Sequence, residues 1–379
     1  MTEKLYDKDS HLKEFSATVL SCEKLGEKYA VKLDKTAFFP EGGGQVSDIG
    51  NIGEAAVLDV QIVGNEIIHY LSRPLNVGEE YACTLNWDRR LRNMQNHSGE
   101  HIVSGIVHRL YGLNNVGFHL GTEMTVDFDG AISREQLLEV ELLANKAVWE
   151  NVPIRAYYPD EKELKALDYR SKLELTENVR IVDIEGYDLC ACCAPHVKKT
   201  GEIGLIKILD SFKNKGGVRI FIKCGIDALD DYNDKYLNVQ KISNLLSVKQ
   251  YEAAAAVDRL SDENRELKFE IASLKKRLIA EKAKSFVPET EKTAVFEEGL
   301  DIKELQLFAD LLYKKSGGIR GVFSGQGGNY SFAVCGEETE LDLFFKEFKE
   351  KLNARGGGRN GMVQGTVAAD KNEIEGFFR

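Results

Sequence analysis

From its start to about residue 88 the chain alternates apolar and polar positions in short runs. ATVLSCEKLGEKYAVKLD breaks at a glycine, AAVLDVQIVGNEIIHYLS repeats the pattern, and EEYACTLNWD adds another run. A two-residue period places successive side chains on opposite faces of a strand. Short strands with regular turn signals predict a small β-barrel. A glycine-rich loop, FFPEGGGQVSDIG, interrupts the runs.

From Arg89 the period lengthens. In RRLRNMQNHSGEHIVSGIVHRLYG, Leu91, Met94, His101, Ile102, Ile106 and Leu110 recur at three- and four-residue steps, which predicts a helix closed by Gly112. TEMTVDFDG follows as a strand, and SREQLLEVELLANKAVWENV as a helix with Ser133 at its N-cap. VRIVDIEG is a strand leading into a cysteine cluster, and EIGLIKILDSFKNKGGVRIFIKCG reads as two strands joined by a basic glycine turn.

Beyond Ala228 the chain turns helical and charged. Val257, Leu260, Asn264, Leu267, Ile271, Leu274 and Leu278 form a heptad seam with one polar position. About three heptads suit a helical hairpin as well as a dimeric coiled coil. SFVPET marks a linker, and the rest alternates strands and amphipathic helices, with GGGRNGMVQG read as a glycine loop. The predicted class is α+β and multidomain. Residues 1–88 form a barrel, 89–225 an α+β domain, 226–286 a helical hairpin or coiled coil, and 290–379 a small α/β domain.

Net charge is -11 over 379 residues, which disfavours indiscriminate nucleic-acid binding but permits a local basic groove. No apolar run reaches the roughly 20 residues of a membrane span. The polar N-terminus lacks a signal-peptide core, so a cytoplasmic protein is expected. Seven cysteines, an odd number and mostly scattered, argue against a disulfide framework.

Three of the cysteines crowd into DLCACCAPHV. Upstream, His97 and His101 stand i, i+4 on the predicted helix, about 6 Å apart along one face. Cys192 and His196 have the same separation. Together these pairs offer the N/S ligands that zinc prefers. Cys190 and Cys193 compete with Cys192, or serve as small packing groups.

The motif set resembles the editing domain of alanyl-tRNA synthetase and its free-standing relatives. That family carries TxFYxEGGGQxxDxG, a helical HxxxH, a later CxxxH and a KGxxR element. The chain has TAFFPEGGGQVSDIG from Thr36, His97–His101, Cys192–His196, and KGGVRI from Lys215 to Ile220, in that order. The helical region and GGGRNGMVQG resemble the synthetase's C-terminal domain, so the likeness matches the long free-standing form. It implies that one zinc ion is held by His97, His101, Cys192 and His196, with Cys190 and Cys193 as bystanders. Where the family commonly has CGGTH, the chain has CCAPH, and Pro195 stiffens the loop.

The resemblance implies hydrolysis of mischarged tRNA(Ala), chiefly Ser-tRNA(Ala). Thr36 would read the serine hydroxyl, Gln45 would contact the terminal adenosine or a water, and His196 would act as a base or an exchangeable ligand. Gly42, Gly43 and Gly44 would allow close backbone approach to the tRNA acceptor end. Arg89, Arg90, Arg92, Lys198, Lys199, Lys213, Lys215, Arg219, Arg355 and Arg359 cluster beside the motifs, and of these Arg92, Lys215, Arg219 and Arg359 are the expected tRNA contacts. A homodimer through the helical and C-terminal regions is expected. Nothing resembles an ATP-dependent activation domain, so the chain is expected to remove amino acids and not attach them. The competing reading is a catalytically silent tRNA-binding module with a structural zinc.

Overall fold

The two-residue alternation closes on itself. Strands β1 (Glu14–Leu25), β2 (Lys28–Leu33), β3 (Gly50–Ile52), β4 (Ala55–Val63), β5 (Glu66–Leu71) and β6 (Glu80–Leu85) form a closed barrel in the order β1-β2-β5-β4-β3-β6. Val19, Val31, Leu33, Ile52, Val57, Val60 and Leu71 fill its interior. This is a computed structural model, and it describes residues 2–121, 123–171 and 179–379. Thr122, the first residue of TEMTVDFDG, lies outside the described residues.

The chain divides into two compact units, Met1–Val239 and Gln240–Arg379. In the first, the barrel is followed by α1 (Trp87–Tyr111), capped by Asn86, whose side chain accepts from Arg89 N, and ended by Gly112 in the left-handed conformation. Two antiparallel sheets belong to the same unit. One has the order β12-β13-β8-β7, from β7 (Asn115–Leu120), β8 (Met124–Phe128), β12 (Ile206–Asn214) and β13 (Gly217–Cys224). The other is β9-β10-β11, from β9 (Ile154–Tyr157), β10 (Ile181–Ile184) and β11 (Asp188–Ala191). Helix α2 (Arg134–Glu150) packs against α1 and β12.

Helix α1 is buried without a break from Asn93 to Val107. Only one stripe was predicted to be covered. Leu110, placed in that stripe, is 42% exposed, whereas Asn96, Ser98 and Glu100 are buried. The polar side chains are tolerated because they are partnered: Gln95 donates to Glu202 O, Asn96 to Asp227, and Ser104 to Glu100. Gly105 lets the β10–β11 hairpin approach the helix, since a Cβ there would meet Tyr187 O at 2.3 Å. Arg90 is wholly buried and paired with Asp48, and it also donates to the Ser10 and Ala37 carbonyls. It therefore ties the glycine segment to α1 and is no RNA contact, which corrects its place in the basic cluster.

Helix α3 (Ile226–Leu246) contains the division between the units. The second unit holds the long helix α4 (Ala253–Ser285) and a five-stranded sheet. Its strands are β14 (Lys292–Phe296), β15 (Ile319–Gln326), β16 (Asn329–Cys335), β17 (Arg355–Arg359) and β18 (Met362–Ala368), in the order β14-β15-β16-β18-β17. Helix α5 (Ile302–Ser316) covers Val322 and Ala333. On the opposite face α6 (Glu338–Leu352) and α7 (Lys371–Phe378) cover Phe323, Phe332 and Val363. The segment GGGRNGMVQG is a strand pair and not a loop: Asn360 and Gly361, both at positive φ, make the two-residue turn between β17 and β18.

Candidate metal centre

Helix α1 and the loop after β11 bring four ligand atoms together. His97, His101, Cys192 and His196 each offer one, and all lie within 4.8 Å of one another. Cys192 Sγ is 3.5 Å from His97 Nε2 and 3.4 Å from His196 Nε2. A tetrahedral zinc site separates its nitrogen and sulfur ligands by about 3.5 Å. The three imidazole rings stand 4.6 to 5.3 Å apart, centre to centre.

The far side of every ring is occupied. His97 Nδ1 donates to Gln45 Oε1 at 2.8 Å, and His101 Nδ1 donates to Asp188 Oδ2 at 2.9 Å. His196 Nδ1 lies 3.0 Å from Ser98 Oγ. These contacts leave each Nε2 facing the common centre, the arrangement in which outer partners fix a metal-binding tautomer. Arg170 grips both oxygens of Asp188, at 2.7 and 2.9 Å. Arg180 donates to the Cys192 and Ala194 carbonyls and holds the shape of the CCAPH loop.

Electrostatics agree with this set. Burial pushes the Cys192 thiol up, but His97, His101 and His196 outweigh it and hold the group well below the ordinary thiol range. Burial drives His196 down to about 3, so its ring is neutral. Burial opposes charge on His101 too, yet its bond to Asp188 and its contact with Cys192 raise it well above 6.5. Asp188 is held low by His101 and Arg170 against the effect of its burial. Cys190 is pushed up to about 11 by burial, and Cys193 is exposed; neither belongs to the group of four.

The glycine segment borders this centre. Gly42 and Gln45 exchange backbone hydrogen bonds at 3.0 Å around Gly43 and Gly44, both at positive φ. A Cβ on Gly44 would meet Phe118 O at 2.4 Å, so only glycine lets this turn lie on β7. Gln45 is 1% exposed, and its Nε2 has no partner. Thr36 is fully buried; its hydroxyl donates to His69 Nε2 at 2.8 Å and accepts from Phe38 N.

The basic residues are placed differently. Arg92 pairs with Asp227 and Asp230, and Arg219 grips Asp127 with two bonds of 2.6 Å. Lys215 is exposed at the β12–β13 turn, and Arg359 is exposed on β17 in the second unit. Sequence reasoning did not find Ser98, Asp188, Arg170 or Arg180. For Asp188 a signal existed: Asp188 and Cys190 alternate on β11 and the spacing runs on to Cys192, so a strand period could have grouped them.

Fold and site define a protein in which three imidazoles and one thiol converge in a cluster that could hold one metal ion, bordered by a barrel's glycine hairpin. The family described as the threonyl and alanyl tRNA synthetase second additional domain matches residues 179–221. The alanyl-tRNA editing protein AlaX-L of Pyrococcus horikoshii is 28% identical over 99% of this chain and 96% of its own length. Alanyl-tRNA editing protein Aarsd1-A of Xenopus laevis is 29% identical, over 97% and 95%. An alanine–tRNA ligase of Ignicoccus hospitalis is 32% identical over 75% of this chain, which spans only 33% of that enzyme. The chain thus resembles long free-standing alanyl-tRNA editing proteins along nearly its whole length, and alanine–tRNA ligases over part of theirs.

Proposed function

We propose that this chain is a zinc-dependent deacylase of mischarged tRNA(Ala), chiefly Ser-tRNA(Ala), acting in the cytoplasm. The observation that carries the reading is the convergence of His97, His101, Cys192 and His196 beside the unpartnered amide of Gln45. The likeness to proteins named for alanyl-tRNA editing supports it. The three-nitrogen, one-thiolate set fits zinc, which when bound supplies Lewis-acid polarisation and a lowered water pKa.

The chain's own groups supply the rest. Gln45 is oriented by His97, so its amide N–H is left to donate to the substrate ester. Thr36 keeps one hydroxyl lone pair uncommitted, and that pair receives the serine hydroxyl. Alanine lacks this group, and a site built to pair a hydroxyl rejects the analogue without one. His196 sits on the loop with a neutral ring; it would help hold the ion or, where its Nε2 is free, act as the base toward the attacking water. Gly42, Gly43 and Gly44 bring the backbone close to the acceptor end; Lys215, with Arg92 and Arg219 from within their carboxylate pairs, is proposed to contact tRNA phosphates, and Arg359, on the second unit, is proposed as a separate tRNA contact. We further propose a homodimer, since Val257, Leu260, Leu267, Ile271, Leu274 and Leu278 are 46 to 56% exposed along α4.

Four ligands on one ion also describe a closed structural site. A deacylation assay on seryl-tRNA(Ala) separates the readings. Hydrolysis that is lost to a chelator and restored by zinc supports the deacylase. A metal-loaded protein that binds this tRNA without hydrolysing it would sink the deacylase in favour of a silent binding module.

A further inference from the structure

The residues before Glu14 precede the barrel strands, yet the barrel holds them. Thr2 Oγ1 donates to Leu33 O at 2.7 Å, and Glu3–Lys4 pairs in parallel with Lys35–Thr36. Tyr6 buries its ring edge-on against Phe39, with 5.4 Å between centres. The Ser10 carbonyl accepts from the buried Arg90.

Three side chains of this segment, at alternate positions, reach residues that flank the CCAPH loop. Asp7 accepts from the Tyr158 hydroxyl at 2.9 Å and lies 3.5 Å from Arg180 Nε. Asp9 pairs with Lys198 Nζ at 2.8 Å, and His11 Nε2 lies 2.7 Å from Glu202 Oε2. Arg180 precedes Cys192, and Lys198 and Glu202 follow His196, so the segment grips the loop from both ends.

The grips are unequal. Asp9 and Lys198 are about half exposed, and an ion pair in water contributes little. The Arg180 side chain is 5% exposed and that of Asp7 14%. Arg180 Nη1 donates to the Cys192 and Ala194 carbonyls at 3.0 and 2.9 Å, while Nε makes no hydrogen bond. Among the described residues, Asp7 is the one carboxylate paired with this guanidinium. A buried cation stripped of its carboxylate is costly to keep, so it turns toward water and drops what else it holds. Here that is the backbone on both sides of Cys193. The loop carries two of the four candidate ligands, whereas the other two ride on α1.

We infer that the N-terminal segment is a strap that sets the CCAPH loop, and that Asp7 is a positioning residue for Cys192 and His196, acting through Arg180. This rests on the reading of the four side chains as a metal centre. Tyr158 orients the Asp7 carboxylate, and the Asp9 and His11 pairs only keep the strap close.

The test uses the full chain, metal-free and loaded with cobalt(II), whose visible absorption reports a bound thiolate. Asp7→Asn is expected to weaken cobalt affinity at least about tenfold and to alter the thiolate-to-cobalt band. In the metal-free protein it is expected to speed amide exchange across residues 189–198 at least about tenfold, because the bond from Cys192 N to Arg180 O opens more often. Asp7→Glu keeps the charge and is expected to restore most of both. Tyr158→Phe frees the carboxylate without removing a charge and is expected to lower affinity about threefold, which decides the matter if Asp7→Asn does not fold. Asp9→Asn, at the exposed pair, is expected to change affinity less than about twofold. Wild-type affinity and exchange in Asp7→Asn, or equal weakening by Asp7→Asn and Asp9→Asn, would overturn the inference. A wild type that takes up no cobalt would sink the metal centre, and exchange in the metal-free chain would then decide the strap alone. Cobalt binding without hydrolysis of seryl-tRNA(Ala) by the zinc-loaded protein would sink the deacylase and leave the strap.

Discussion

His101 Nδ1 and Asp188 Oδ2 lie 2.9 Å apart, both wholly buried, and Arg170 closes the far side of the carboxylate. The carboxylate holds the ring's tautomer and turns Nε2 inward. Asp188→Asn is expected to weaken zinc binding by about 10- to 100-fold, read by competition with a chromophoric chelator. Unchanged zinc affinity would mean that the carboxylate has no part in positioning the ring.

Cys192 and Cys193 are adjacent in sequence but differ in environment. Cys192→Ser is expected to strip most of the metal and the deacylase activity together. Cys193→Ser, at an exposed thiol outside the group of four, should leave both largely intact. Metal analysis of the two purified variants decides it, and equal loss from both would reassign the ligand.

Gly44 holds the turn against β7. Gly44→Ala places a methyl group 2.4 Å from Phe118 O in a left-handed backbone. The variant should lose roughly 2 kcal/mol of stability, seen as a lower urea midpoint. Wild-type stability would show that the contact relaxes without cost.

His69 lies in the barrel interior, where burial lowers it from the ordinary 6.5 to about 4. The unfolded chain takes up this proton first as pH falls. The stability that a neutral His69 provides is therefore complete above pH 6.5 and drains away as pH falls toward 4. The loss is roughly 3 kcal/mol by the bottom of that window. Thermal melts of wild type and His69→Gln across it should show a steeper slope in wild type. Parallel slopes would assign the acid sensitivity to other groups.

The seam on α4 leads to an oligomer experiment. Leu267→Glu with Ile271→Glu should convert a dimer to a monomer in sedimentation equilibrium while leaving zinc content alone. A wild type that is monomeric at every concentration would remove the dimer.

Local chemistry is set by nearest neighbours, and it was legible in the chain. Alternation wrote out the barrel strands, three- and four-residue steps wrote out α1 and α2, and i, i+4 spacing marked His97–His101 and Cys192–His196 as candidates, while Cys190 and Cys193 still competed with Cys192 until the family resemblance was added. The same steps misjudged α1 itself. They foretold one buried stripe, because periodicity cannot show that polar side chains have found partners on all sides. Arg90 is the sharpest case: as sequence it is one more cation in a basic run, and only the fold brings Asp48 to it from 42 positions away. GGGRNGMVQG shows the limit from the other direction, since its glycines suit a loop as readily as the strands β17 and β18 that it forms.

The sequence by itself determined which atoms were available to bind an ion and at what spacing. Tertiary structure decided which nitrogen of each imidazole faces inward, through Gln45, Asp188 and Ser98, and which of three clustered thiols joins them. It also brought Asp7 to Arg180, which holds the CCAPH loop. Those choices depend on atoms far apart in the chain, and desolvation makes each buried polar group take a partner or stand out for lacking one.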